Sequence, residues 1–262
     1  MTLAGVFVRD GVAFDATELA RGPWDPRALH GGAPAALLVH AFERCIPGPD
    51  LRLARVTYEF VRPVPLGKLA VTADVTRPGR RVSLLEGAIR DAEGTEVTRA
   101  RALLVRASEV GNEHDEPPPF PGPHQGRSND FNNTGLTMFA TDAMDIRFVE
   151  GAFQERGRAT AWFRLRQPVV AGEPASPLER VAAASDFGNG IASELSWEEH
   201  VFINPDLTVY FEREPRGEWV ALQSQMRVAP GSVGTAESVL WDEQGRIGRA
   251  TQALLVERRP AT

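Results

Sequence analysis

Between Gly22 and Arg44 the chain reads GPWDPRALHGGAPAALLVHAFER, a polar loop ending in His30-Gly31-Gly32 that runs straight into an apolar segment. Such a junction predicts the mouth of a buried helix, whose first turn carries unpaired N–H groups and the positive end of the helix dipole. A carbonyl oxygen gaining negative charge is what that device stabilises. The complementary candidate lies far downstream, in PLERVAAASDFGNG, where Asp186 stands among Ala182, Ala183, Ala184 and Phe187. If buried there, its pKa would rise, because desolvation disfavours the charged form, and carboxylates perturbed in this way concentrate at functional sites. If the helix ends nearby, as Gly188 and Gly190 allow, Asp186 would instead cap it or face solvent. Two more polar residues interrupt strand-like apolar runs, Gln252 in ATQALLV and Asn204 in VFINPDLTVYF. The amide of Gln252 suits the orienting of a water and that of Asn204 a second hydrogen bond. Each alone is more often an exposed strand residue or, before Pro205, a turn former.

Other chemistries find less in the sequence. His30 invites the role of a base, but its place before two glycines suits bonding of the loop backbone. His40, on the apolar segment, reads as a satisfied core histidine, while His114, His124 and His200 are dispersed and form no metal-spacing motif. No metal is expected. No G-x-S-x-G elbow surrounds a serine, and Ser185 has no positioned histidine beside it. The basic turn Thr76-Arg77-Pro78-Gly79-Arg80-Arg81 offers Arg80 and Arg81 to an anionic group, although charge runs at strand turns are usually only solvated.

Positioning these residues requires a scaffold, and the pattern supplies one. VFVRDGVAFDA predicts a short hairpin around Asp10-Gly11. Ala35 to Phe42 is apolar nearly all round except at His40, so this helix must be enclosed by other elements, with Pro34 in its first turn. Val56, Tyr58 and Phe60 alternate with Thr57 and Glu59, and Leu69, Val71, Ala73 and Val75 repeat the period of two. Val82 to Arg90 and Val97 to Arg106 follow as strands, joined by the turn Asp91 to Gly94. Residues 107–145, with Pro117-Pro118-Pro119, Pro121 and Pro123, read as a linker between an N-terminal unit over 1–106 and a C-terminal unit over 146–262.

The second unit repeats the first at a constant offset. Thr57, Phe60 and Arg62 correspond to Thr208, Phe211 and Arg213, and Asp91 and Gly94 to Asp242 and Gly245, each pair 151 positions apart. Ala102-Leu103 falls on Ala253-Leu254 by the same count. An internal duplication explains this, with a second apolar helix over Val181 to Phe187. The first copy then has Ala35 and Arg101 where the second has Asp186 and Gln252, so one competent site per chain is expected.

Composition sets the class. The chain has 262 residues, 42% hydrophobic and 24% charged, as in an ordinary globular protein. A net charge of −6 argues against nucleic acid as a general partner. The single cysteine, Cys45, excludes an intrachain disulfide and suits a reducing compartment, so a cytoplasmic location is expected. No apolar run approaches the roughly 18–20 residues of a membrane span, and the N-terminus lacks the pattern of a signal peptide.

Taken together, the HGG loop, the buried helix, the antiparallel strands, the linker and the second helix with its aspartate resemble the double-hotdog acyl-CoA thioesterases of the type II bacterial kind. GPWDPRALHGGAPAALL looks like the opening segment of the thioesterase-like branch. The resemblance covers both halves and implies an α+β double hotdog, in which each half wraps an antiparallel sheet around a central helix and the halves pack as a pseudo-dimer. It implies that Asp186 is the catalytic aspartate, acting as general base on a water or attacking directly, that Gln252 is its glutamine partner, and that Asn204 takes the place of a threonine or serine usual in the family. Gly31, Gly32 and His30 would form the oxyanion and substrate-binding mouth facing Asp186; with such a substrate, the anionic group that the basic turn of Arg80 and Arg81 could meet is a coenzyme A phosphate, beside the plainer reading of a solvated turn. The implied reaction is hydrolysis of an acyl-CoA thioester in lipid metabolism, with coenzyme A as part of the substrate and no other cofactor. Homo-oligomers are common in such relatives. The alternative is an acyl-CoA-binding or acyl-carrier-binding double hotdog without turnover.

Overall fold

The computed structural model describes residues 4–108, 116–128, 135–231 and 233–259. β1 (Phe7–Asp10) and β2 (Ala13–Ala16) form the opening hairpin, turned at Gly11 with a φ of +61° that a side chain would strain. α1 (Gly32–Glu43) comes next, followed by β3 (Leu51–Phe60), β4 (Gly67–Arg77), β5 (Val82–Arg90) and β6 (Glu96–Arg106). The expected hairpin, helix and four strands are all present. α1 rests on β4, β5 and β6, and its Leu37, Leu38, Val39 and Phe42 have no exposed surface. Each of these side chains contributes about 1.5–3 kcal/mol by burial, which is why a helix with no polar face is stable here.

The second half contains β7 (Arg127–Ser128), β8 (Met144–Glu150), β9 (Ala159–Leu165), α2 (Pro177–Ser185) and α3 (Gly188–Ile191). β10 (His200–Ile203), β11 (Asp206–Phe211), β12 (Val220–Val228), β13 (Gly234–Asp242) and β14 (Gly245–Arg258) complete it. The helix expected over Val181 to Phe187 is thus interrupted: α2 ends at Ser185, and Asp186 and Phe187 separate it from α3. Within the linker, residues 109–115 and 129–134 lie outside the described residues. The part between them folds against the body, where Phe120 meets Trp162 and Trp241 edge-on and Pro121 O accepts a 2.9 Å bond from Trp162 Nε1.

The strands form one antiparallel sheet in the order β1-β2-β4-β5-β6-β3-β11-β14-β13-β12-β9-β8-β7, with β10 beside the end of β14. The two halves meet at the pairing of β3 with β11, and there Thr57 lies opposite Thr208, their hydroxyls 3.2 Å apart. The repeat offset therefore places equivalent residues against one another at the centre of the sheet. Beyond the later turn the offset changes. Asp91 N–H bonds Thr95 O across three intervening residues, whereas Asp242 pairs with Gly245 across two. Consequently Arg101 stands opposite Thr57 where Thr251 stands opposite Thr208. The first-half equivalent of Gln252 is the buried Ala102, not Arg101, whose side chain is exposed on the other face of the strand. The apparent match of Ala102-Leu103 to Ala253-Leu254 is one residue out of step for the same reason.

Candidate active site

α1 and α2 pack side by side, and their approach explains the two glycines. A Cβ on Gly32 would lie 2.3 Å from the carbonyl oxygen of Ala183, and one on Gly31 would lie 2.6 Å from Asp186 Oδ2. Neither glycine is there for an unusual φ; both are there for close approach. Ser176 caps the start of α2, accepting the Glu179 N–H at 3.0 Å while Glu179 accepts the Ser176 N–H at 3.1 Å, with Pro177 in the first turn. At its other end Asp186 is the C-cap and turns its carboxylate toward the first turn of α1.

Asp186 is only 6% exposed. Oδ1 accepts Asn204 Nδ2 at 2.7 Å and Gln252 Nε2 at 3.3 Å, and the backbone N–H groups of Gly32 and Gly31 also favour the ionised form. Burial outweighs these donors and pushes its pKa up to about 7. Of the two readings the sequence left open, the structure combines both: Asp186 does end a helix, and it is buried.

His30 Nδ1 accepts the Gly32 N–H at 3.0 Å, so the ring proton belongs on Nε2. The ring is stacked on Phe187 at 4.2 Å and faces Phe139 at 5.2 Å. Burial drives its pKa down to about 3, so the 3.2 Å approach of Nδ1 to Asp186 Oδ2 joins a neutral imidazole to the carboxyl group and is no ion pair. His30 bonds the loop backbone, as its sequence context suggested, and also abuts Asp186.

A cavity of about 470 Å³ opens beside these groups, a volume suited to a small molecule. His30, Gly31, Asp186 and Asn204 form its polar wall, and the rest is mainly apolar, including Trp24, Phe60, Phe153 and Ile203. Gln252 stands behind Asp186 and outside the lining. Its Nε2 bonds Asp186, its Oε1 accepts Asn189 N–H at 3.2 Å, and it thereby ties β14 to both the carboxylate and α3. The structure thus brings Asp186, Gln252, Asn204, His30, Gly31 and Gly32 together, but gives Gln252 a supporting position that leaves no free amide for a water.

Arg80 and Arg81 are not part of this group. They line a separate cavity with Pro47, Asp50 and Arg106, beyond the C-terminal end of α1. A helix of 12 residues spans about 18 Å, so they lie at the opposite end of α1 from Gly31. That end also holds His40, satisfied as expected: Nδ1 is 2.7 Å from Glu179 Oε1 and Nε2 is 3.1 Å from Arg9 Nη2. Sequence reasoning left the tryptophans unplaced. Trp24 and Trp197 stack at 4.8 Å, one from each half, on the cavity wall, whereas Trp162, Trp219 and Trp241 gather in a cluster elsewhere. Among the described residues, no three His, Cys, Asp or Glu side chains gather where they could hold a metal ion.

Residues 20–105 match the family described as acyl-CoA thioesterase N-terminal domain, and residues 112–256 match its counterpart, the acyl-CoA thioesterase C-terminal domain. Among solved structures, the chain resembles a thioesterase II candidate from Thermobifida fusca at 19% identity and a TM-score of 0.73, covering 96% of this chain and 95% of that one. A conserved protein with a hot dog fold from Alicyclobacillus acidocaldarius gives 16% identity and a TM-score of 0.73, over 98% and 96% of the two chains. An acyl-CoA thioesterase II from Mycobacterium marinum gives 17% and 0.69, over 95% and 94%. At these identities the likeness establishes the hot dog fold. No curated protein matches the chain.

Proposed function

The chain belongs to the acyl-CoA thioesterase family, and from that premise we propose that it hydrolyses an acyl-CoA thioester to the carboxylic acid and free coenzyme A, with Asp186 as the general base. The supporting observation is a buried carboxylate with a pKa of about 7 on the wall of an apolar cavity, at the N-terminus of α1. A base poised near the working pH is half ionised there and still takes up a proton readily. In this reading the acyl chain occupies the apolar part of the cavity, a water lies between Asp186 and the thioester carbon, and Asn204 and Gln252 hold the carboxylate in line. Gly31 lines the cavity, and its N–H also favours the ionised carboxylate. As Asp186 takes the proton from water it loses its charge while the carbonyl oxygen gains one, so the same donor and the helix dipole transfer their stabilisation to the oxyanion.

The scaffold fits the same proposal. We read the sheet as two hotdog units that pack as a pseudo-dimer about the Thr57–Thr208 pair. The first half supplies the glycines and the second supplies the base. Strand register gives Ala102 as the equivalent of Gln252, and the offset of 151 puts Ala35 where the second half has Asp186; by that correspondence the second copy of the site carries no base. Hydrolysis is measured by release of free thiol across a series of acyl-CoA chain lengths. The wild type turns over at least one member of the series and Asp186→Asn loses about 100-fold or more in kcat, the usual scale of general base catalysis. Equal rates for the two proteins on a good substrate would remove Asp186 from the mechanism.

A further inference from the structure

The duplication built an arginine clamp twice, and only one copy closes. In the second half Arg213, just past β11, grips Asp242 at the end of β13 with two bonds of 2.6 Å. Asp242 has no exposed surface and also accepts the N–H groups of Arg216, Gln244 and Gly245, so the clamp fastens the turn. Arg62 and Asp91 occupy the same two places in the first half, each 151 positions earlier. There the carboxylate serves its own turn, accepting Thr95 N–H at 2.8 Å and Glu93 N–H at 3.1 Å. Arg62 is left exposed, with no side-chain bond or ion pair to any described residue, and it lies on the wall of the Asp186 cavity.

The other charged residues of that wall are already engaged. Arg21 is buried and paired with Glu18 at 2.9 Å. Asp25 is held by Arg27 at 3.0 Å, and Asp186 is bound as described. Nearby, Arg259 lies over the Trp24 ring at 5.9 Å and donates to Trp197 O at 3.0 Å, which adds positive charge to the same rim. In a chain whose net charge is −6, the cavity mouth therefore presents an unpaired guanidinium beside an apolar pocket. A guanidinium offers planar, paired donors that match a phosphate.

We propose that Arg62 is the phosphate anchor of this cavity, binding a phosphate group on the pantetheine arm that carries the acyl thioester. The assignment rests on the hydrolase reading of the cavity, and it puts a phosphate contact on the wall of that cavity, whereas Arg80 and Arg81 line a separate one at the far end of α1. Two carriers share this chemistry, coenzyme A and the phosphopantetheine of an acyl carrier protein.

The test compares wild type, Arg62→Ala and Arg62→Lys on an acyl-CoA and on the acyl-N-acetylcysteamine thioester, which has the same reacting end and no phosphate. Arg62→Ala raises KM for acyl-CoA about tenfold relative to KM for the phosphate-free thioester, and Arg62→Lys recovers part of the loss. An acyl carrier protein substrate separates the sources. A raised KM on both carriers assigns the contact to the phosphate they share, and a raised KM on acyl-CoA alone assigns it to the nucleotide end. A loss of equal size with and without phosphate would overturn the anchor while leaving the hydrolase reading in place. Binding of free coenzyme A, followed by the fluorescence of Trp24 and Trp197, gives the converse control. If the wild type turns over no thioester but binds coenzyme A, and Arg62→Ala weakens that binding, the hydrolase reading fails and the anchor stands; if Arg62→Ala leaves the binding unchanged, the anchor falls.

Discussion

The charge on Asp186 opposes folding, and the size of that opposition follows from its surroundings. Its carboxyl rises from an ordinary 3.8 to about 7 because burial strips away water faster than Asn204, Gly32, Gln252 and Gly31 can replace it. Between those two pH values the folded protein holds a proton that the unfolded chain has released. Stability contributed by that proton is complete below about 3.8 and is lost as pH rises to about 7, then stays level. From pH 5 to pH 8 the loss covers roughly two pH units, on the order of 3 kcal/mol at 1.36 kcal/mol per unit. In Asp186→Asn that dependence disappears. The amide is neutral at every pH, although its NH₂ group faces N–H donors of α1 and costs about 1–3 kcal/mol throughout. Thermal unfolding of both proteins at pH 5 and pH 8 provides the measurement. The difference in Tm, mutant minus wild type, becomes more positive by about 6–12 °C on going from pH 5 to pH 8, at roughly 2–4 °C per kcal/mol for a chain of this size. Activity moves the other way, because the variant has no base. A Tm difference that does not change with pH would refute the claim that the folded state disfavours this charge.

Two other perturbations test the scaffold. Gly32→Ala drives a methyl group into the backbone oxygen of Ala183, at 2.3 Å in the undisturbed geometry, so α1 and α2 must separate; urea unfolding shows a loss of about 1–3 kcal/mol, and hydrolysis falls with it because Gly31 shifts from Asp186. Arg213→Ala leaves the carboxylate of Asp242, which has no exposed surface, without its ion pair. Denaturant unfolding then shows a loss of about 3–5 kcal/mol while kcat of the folded protein is maintained, since the clamp lies outside the cavity; a loss below about 1 kcal/mol would show that the N–H donors of the turn suffice. In the native protein burial alone would raise the Asp242 pKa, and the Arg213 fork with the Arg216 and Gln244 N–H groups holds it below the usual carboxylate range.

Much of the architecture was legible in the residues because it rests on local rules. Period-two alternation marked β3 and β4, an apolar run after two glycines marked α1, and the turn at Asp10-Gly11 marked the first hairpin. These signals depend on neighbours a few positions away, so one sequence suffices to read them. The offset of 151 showed the duplication, and it held for the strands up to the turn at Asp242. It could not show that the first turn is one residue longer, and in a strand one residue exchanges the buried face for the exposed one. That is how Arg101 came to stand for Ala102.

The candidate site divides along the same line. The residue types at His30, Gly31, Gly32, Asp186, Asn204 and Gln252 pointed to a carboxylate and a helix mouth, because an aspartate among alanines and a pair of glycines before an apolar helix are unusual in themselves. Their arrangement depended on long-range geometry. Only the packing of α1 on α2 shows that the glycines are needed for close approach, that Asp186 sits where the second helix breaks, and that Gln252 stands behind the carboxylate. The stacking of Trp24 on Trp197 belongs to the same class, since it is set by how two halves of one chain meet, and the release of Arg62 goes with a turn in which Asp91 bonds Glu93 and Thr95 instead. Sequence thus determined which groups can do chemistry, through side-chain type and local pattern, and tertiary structure decided which of them share a cavity, through strand register and the distance between two helices.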